Sequence, residues 1–97
     1  MGENVRSEIF REDLLEGKVV VLSGAGTGLG REAALEMIRL GATVVGCGRR
    51  PEPLAETATL AEGLPGKFES ETLDIRDEEA IDSFFDGVVE RHGQIDV

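Results

Sequence analysis

Eight residues, Ser23-Gly24-Ala25-Gly26-Thr27-Gly28-Leu29-Gly30, carry most of the chemistry legible in this chain. They follow an unbroken apolar run, Val19-Val20-Val21-Leu22, and precede a stretch with helical spacing. A strand, a glycine-rich turn and a helix start form the local architecture that seats a dinucleotide pyrophosphate. The common spacing G-x-G-x-x-G would need a glycine where Leu29 stands. What fits is G-x-x-x-G-x-G, carried by Gly24, Gly28 and Gly30. Gly24 allows a tight turn off the strand. Gly28 lets backbone approach a phosphate with no Cβ in the way, and Gly30 lets the helix pack close to the sheet. Amides near Thr27 to Leu29 would point at the phosphate, aided by the positive field of the helix N-terminus. The candidate cradle is therefore Ser23, Gly24, Gly26, Thr27, Gly28, Leu29 and Gly30. The alternative is a glycine turn of purely structural use.

Two further positions could read the rest of a dinucleotide. An NAD site usually places an acid about 20 residues past the glycines, where it binds the ribose 2′-hydroxyl. Here the matching segment is Gly48-Arg49-Arg50. It brings no carboxylate, and Arg49 and Arg50 could hold a 2′-phosphate through their planar forks. This predicts NADP(H) over NAD(H); the alternative is two arginines solvating a loop. Asp74-Ile75 follows the third expected strand. A carboxylate there could accept the adenine amino group, and the next amide could meet a ring nitrogen. The alternative for Asp74 is a cap on the following helix.

Other reactive types have plainer readings. Cys47 is the only cysteine, which excludes an internal disulfide, and it ends a buried strand as a packed thiol. His92 reads as a cation at a helix C-terminus, and Asp77, Glu78 and Glu79 as favourable first-turn charge. No metal site and no catalytic residue is expected among the 97 residues.

The elements that must position these groups follow from the apolar pattern. Lys18–Leu22 and Thr43–Cys47 read as buried strands of a parallel sheet, and Phe68–Leu73 as an edge or half-exposed strand. A helix is expected over 28–40, with Leu29, Ala33, Met37 and Leu40 on its apolar face and Gly41 as its stop. Pro51 and Pro53 suit the first turn of a second helix ending near Glu62. Ile81, Phe84, Phe85, Val88 and Val89 form the apolar stripe of a third, closed by Gly93. Ile95-Asp96-Val97 resembles the start of a fourth strand. The order β-α-β-α-β-α-β with right-handed crossovers predicts an α/β fold, the N-terminal half of a Rossmann-type doubly wound parallel sheet. The expected organisation is an N-terminal segment, 1–16, and a partial nucleotide-binding domain, 17–97. In the former, Ile9, Phe10, Leu14 and Leu15 could lie against the sheet edge.

Composition limits the partners. The net charge is −10, which argues against nucleic acid or an anionic membrane. Residues 69–97 carry ten acids against Arg76 and Arg91, a pattern that suits a solvated helix face; a face for a basic partner is the alternative. Four phenylalanines are the only aromatics, so no stacking platform for single strands exists. No apolar run approaches the ~20 residues of a membrane span. The start lacks a secretory apolar region, and Arg6 occupies the Ser/Thr position of a myristoylation signal. A cytoplasmic protein is expected.

Taken together, Ser23-Gly24 to Gly30, Arg49 and Asp74-Ile75 resemble the short-chain dehydrogenase/reductase family over roughly residues 10–97. The family pattern T-G-x-x-x-G-x-G has Ser23 here in place of Thr, which keeps a hydroxyl. Arg49 matches the arginine of NADP-preferring members. The basic residue that some of those members carry in the glycine turn is absent, since Thr27 stands there. Phe10-Arg11-Glu12-Asp13-Leu14-Leu15 before Gly17-Lys18 is similar to the opening of 2,4-dienoyl-CoA reductase-like members. The resemblance implies NADPH as cofactor and hydride transfer to a small-molecule carbonyl or enoyl substrate, an acyl-CoA among the options. It implies a homo-oligomer assembled through later helices. It also implies an Asn-Asn-Ala-Gly strand, a Ser and a Tyr-x-x-x-Lys pair beyond residue 97, so this chain by itself is expected to turn over nothing. A non-catalytic NADPH-binding module, or a truncated product without a role, stays open at this point.

Overall fold

The computed structural model describes residues 15–96. Its elements are β1 (Val19–Ser23), α1 (Gly28–Arg39), β2 (Thr43–Gly48), α2 (Pro51–Ala61), β3 (Lys67–Thr72) and α3 (Glu78–His92). All six fall where the sequence pattern places them, with bounds shifted by about one residue. The strands form one parallel sheet in the order β1-β2-β3. Val20, Val44 and Phe68 lie in register on one face, and Val21 and Val45 on the other. This half of a doubly wound sheet is the expected fold. β3 is an edge strand, as its mixed Lys67-Phe68-Glu69-Ser70 sequence suggests.

Each face of the sheet has its own core. Val20 and Val44 pack with Ala25, Ala34, Ile38, Ala42, Leu54 and Ala61 beneath α1 and α2. Val19, Val45 and Cys47 pack with Leu73, Phe84 and Val88 beneath α3. Burying a branched side chain such as Ile38 contributes about 1.5–3 kcal/mol. Leu15 joins the first core, and its N–H donates to the Leu40 carbonyl at 2.7 Å. Ile9, Phe10 and Leu14, expected beside it, lie outside the described residues.

Two helix faces differ from the pattern. On α1, Leu29 is 84% exposed and Ala33 is exposed, while Ala34 and Ile38 are buried. The packed row runs through Gly30, Ala34 and Ile38 at four-residue steps. Gly30 has no room for a Cβ against the Gly24 carbonyl, and Ala34 is small as well, so hydropathy points to the larger Leu29 instead. On α3, Phe84 and Val88 are buried, while Phe85 and Val89 are 40% and 46% exposed. The Phe85 ring instead meets Phe84 edge to face, with centroids 5.5 Å apart.

Helix ends follow the expected chemistry. Asp77 caps α3, its carboxylate accepting from the Ala80 N–H at 3.1 Å, with Glu78 and Glu79 in the first turn. Arg91 and His92 occupy the last turn, both against the Glu69 carboxylate of β3. The fourth strand is not formed at Ile95-Asp96, and Val97 lies outside the described residues. The segment is nonetheless tied to the edge of β1 away from β2. The Asp96 N–H donates to the Val19 carbonyl at 2.8 Å, and the Val19 N–H returns a bond to the Asp96 carboxylate at 2.8 Å. That amide, with Gln94, holds the Asp96 carboxyl below the usual range.

Candidate cofactor site

Three loops leave the carboxyl ends of the three strands and meet around one cleft of about 370 Å³. Ser23, Gly24, Gly26 and Thr27 come from the turn after β1. Gly48, Arg49 and Arg50 follow β2, and Leu73 and Ile75 follow β3. The mouth at the carboxyl ends of parallel strands is where open α/β sheets bind ligands. Of the expected site residues, the cleft gathers Ser23, Gly24, Gly26, Thr27, Arg49, Arg50 and Ile75. Gly28, Leu29, Gly30 and Asp74 stand outside its lining. The sequence reading missed Pro53, Leu54 and Leu73, which furnish apolar walls from α2 and from the segment after β3. In sequence Pro53 reads as a helix-start residue and the two leucines as ordinary core, and only the convergence of the loops gives them this second role.

The glycine turn has the geometry its spacing requires. Gly24 and Gly28 adopt φ +72° and +54°, in the left-handed region that L side chains rarely enter. Nothing lies within 4 Å of a Cβ built on either, so the backbone there faces open space. Gly30 is confined for another reason: a Cβ on it would overlap the Gly24 carbonyl. The close approach expected of Gly30 is thus made to the turn itself. Ala25 is fully buried and sits over Gly46, where an added Cβ would lie 2.7 Å from that of Ala25.

The start of α1 differs from that of α3. Thr27 is its N-cap in extended conformation, makes no side-chain cap bond, and no acid stands in the first turn. The positive field of this helix end is therefore left without a local carboxylate. A cradle of glycines at positive φ, open space above it and an acid-free helix start fit a phosphate-bearing ligand.

Asp74 is not the cap of the next helix, a role taken by Asp77. Its Oδ1 accepts from the Arg76 N–H at 3.0 Å and from Nε at 3.1 Å, and its Oδ2 accepts from the guanidinium at 3.1 Å. Both lone pairs of Oδ1 are thereby engaged, and Oδ2 keeps one for a further donor. The Arg76 hydrogen bonds hold the Asp74 carboxyl down at about 2. Because the folded pKa is lowered, the pairing favours the folded state above the unfolded value of ~3.9 and is lost as pH falls through about 2. A carbon-13 NMR titration is expected to place the Asp74 midpoint near 2, and Arg76→Gln to return it towards ~3.9; an unmoved midpoint would show that Arg76 is not the cause. Cys47 lines the cleft floor as a buried thiol, its pKa raised by burial and by the nearby Glu71.

Comparison with known proteins agrees with this arrangement. The chain is 39% identical over 83 residues to the 3-oxoacyl-[acyl-carrier-protein] reductase FabG of Thermotoga maritima, covering 86% of this chain and 34% of that protein. It is 35% identical over 89 residues to a Caenorhabditis elegans protein described as a probable 2,4-dienoyl-CoA reductase 3, covering 91% and 29%. The chain thus spans about a third of the length of the curated relatives it matches. Among solved structures, a metagenomic short-chain oxidoreductase in complex with NADP superposes with TM-score 0.81 at 35% identity, covering 84% of this chain and 37% of that one. An NAD+-bound xylitol dehydrogenase superposes with TM-score 0.80 at 28% identity, covering 84% and 32%. The sequence model of short chain dehydrogenases matches residues 18–97, from the first residue before β1 to the end of the chain, and with a glycine turn, sheet order and cleft of the kind described, the chain belongs to that family.

Proposed function

We propose that this chain supplies the NADP(H)-binding part of an oxidoreductase that moves hydride between NADPH and a small-molecule carbonyl or enoyl group, an acyl-CoA among the candidate substrates. The observation that carries the cofactor choice is the pair Arg49 and Arg50 on the cleft rim after β2, where an NAD site would place an acid. NADPH, when bound, supplies the hydride. Gly24, Gly28 and the start of α1 would hold its pyrophosphate. Arg49 and Arg50 would hold its 2′-phosphate, and Leu54, Leu73 and Ile75 would flank its adenine, with Asp74 beside that ring. The chain contains no tyrosine, so the tyrosine acid or base of the family mechanism is not among its residues. The family resemblance implies a homo-oligomer as the working form.

Fluorescence titration of the chain with NADPH and NADH tests this reading. Tighter binding of NADPH is expected, without oxidation of NADPH when enoyl-CoA or carbonyl substrates are added. Preference for NADH would overturn the cofactor assignment, and binding of neither would overturn the site.

A further inference from the structure

The glycine turn and the arginine segment are separate loops, yet one buried hydroxyl joins them. Thr57, in the second turn of α2, is fully buried. Its Oγ1 accepts from the Arg31 Nε at 3.0 Å, and its one proton has three carbonyls in reach, Ala25 at 3.0 Å, Pro53 at 3.2 Å and Gly26 at 3.5 Å, of which Ala25 is the nearest. Arg31 stands in the first turn of α1, and its guanidinium also donates to the Pro53 carbonyl at 3.1 Å and to Glu56 at 3.2 Å. A charged donor, a hydroxyl and a carbonyl in sequence polarise one another in a low-dielectric setting. The carbonyl at the end of this relay belongs to the Ala25–Gly26 peptide, the middle of the phosphate turn. Because the peptide unit is planar and trans, fixing its carbonyl towards α2 fixes its N–H in the opposite direction. Gly26 seals the contact: a Cβ there would lie 2.7 Å from the Pro53 side chain and 3.2 Å from the Leu54 nitrogen.

The other end of the same helix is the ribose reader. Arg50 is the N-cap of α2, and Pro51 begins it. The helix that presents Arg49 and Arg50 is therefore the helix against which the glycine turn is bonded. We propose that Arg31 and Thr57 are positioning residues that lock the phosphate turn to α2, so that the pyrophosphate and 2′-phosphate ends of the cradle are held at a fixed separation. Neither residue touches the cofactor; both act through the Ala25–Gly26 peptide. This inference rests on the cleft being a dinucleotide site.

Its test separates the two ends of the ligand. Adenosine 2′-monophosphate carries adenine, ribose and the 2′-phosphate but no pyrophosphate. Thr57→Val keeps the side-chain shape and removes the hydroxyl. It is expected to weaken NADPH and NADH alike by about tenfold, and to leave adenosine 2′-monophosphate within about twofold of wild type. Thr57→Ser is expected to restore dinucleotide binding, which a packing defect would not. Arg31→Gln gives the same split and serves as the second variant, since it removes the guanidinium that donates to Thr57 and keeps a polar side chain at a position that is 24% exposed. Wild-type NADPH affinity in both Thr57→Val and Arg31→Gln, or an equal loss of all three ligands, overturns the positioning role. A wild-type chain that binds no dinucleotide instead overturns the functional reading, and this inference with it.

Discussion

Gly30→Ala is expected to weaken NADPH binding at least about 100-fold and to lower the melting temperature of the chain. A Cβ at this position would overlap the Gly24 carbonyl, and that neighbour is backbone, not the end of a flexible side chain. Relief requires α1 to tilt from the turn or the turn to move from the sheet. The turn is not free to move: the Gly24 N–H is bonded to the Cys47 carbonyl at 3.0 Å, and Ala25 is buried over Gly46. The helix start must therefore shift, and its first N–H groups move with it. Overpacking of this kind costs about 1–3 kcal/mol of stability, and loss of aligned donors at a phosphate costs more than that in binding. Gly28→Ala supplies the contrast. Its methyl would enter open space at a positive φ, so the fold loses only the left-handed penalty of about 1–2 kcal/mol. On the proposed reading that methyl meets the pyrophosphate, so binding is expected to fall while most of the structure survives. Calorimetric melting beside NADPH titration checks both. Retained NADPH affinity in Gly30→Ala would mean that the turn does not shape the phosphate site.

The contrast between Gly30 and Leu29 also shows what could be read from sequence alone. Strand, turn and helix after Val19 are local, and their glycine spacing and apolar run are sufficient to place them. The alternation of Val19, Val20 and Val21 between two cores follows from the same short range. The face of α1 does not. Its packed row of Gly30, Ala34 and Ile38 is small where it meets the turn, so side-chain size points the wrong way and Leu29 takes a core role it does not have. Asp74 and Arg76 are two residues apart, close enough for their bond to have been anticipated, but an adenine role and a pairing role require the same carboxylate. Arg31 and Thr57 are 26 residues apart on different helices. Nothing in either segment marks the other, because only the crossover of β2 between them brings the two helices together. The apolar walls Pro53, Leu54 and Leu73 are hidden for a similar reason: Pro53 reads as a helix-start proline, and Leu54 and Leu73 as plain core residues.

Arg49→Ala is expected to weaken NADPH by about 30-fold while changing NADH by less than about threefold, because a cation facing a 2′-phosphate has no comparable partner on a 2′-hydroxyl. Availability of the charge favours Arg49 and Arg50 over the third nearby cation. Among the described residues they enter no ion pair, whereas Arg76 is held by Asp74. Both arginines are exposed at the rim, where α2 begins, and backbone geometry at Arg50 is extended, φ −120° and ψ 136°. Side chains leaving such a corner can reach a ribose at the end of β2 without displacing the helix. Arg49→Glu should go further and invert the preference, since a carboxylate repels the phosphate and offers the 2′-hydroxyl the acceptor that NAD sites use. The measurement is the ratio of NADPH to NADH dissociation constants in wild type and both variants. Equal losses for the two cofactors would reduce Arg49 to a solvated loop residue. A ratio that falls in Arg49→Ala and reverses in Arg49→Glu ties the choice of cofactor to one side chain at the end of β2.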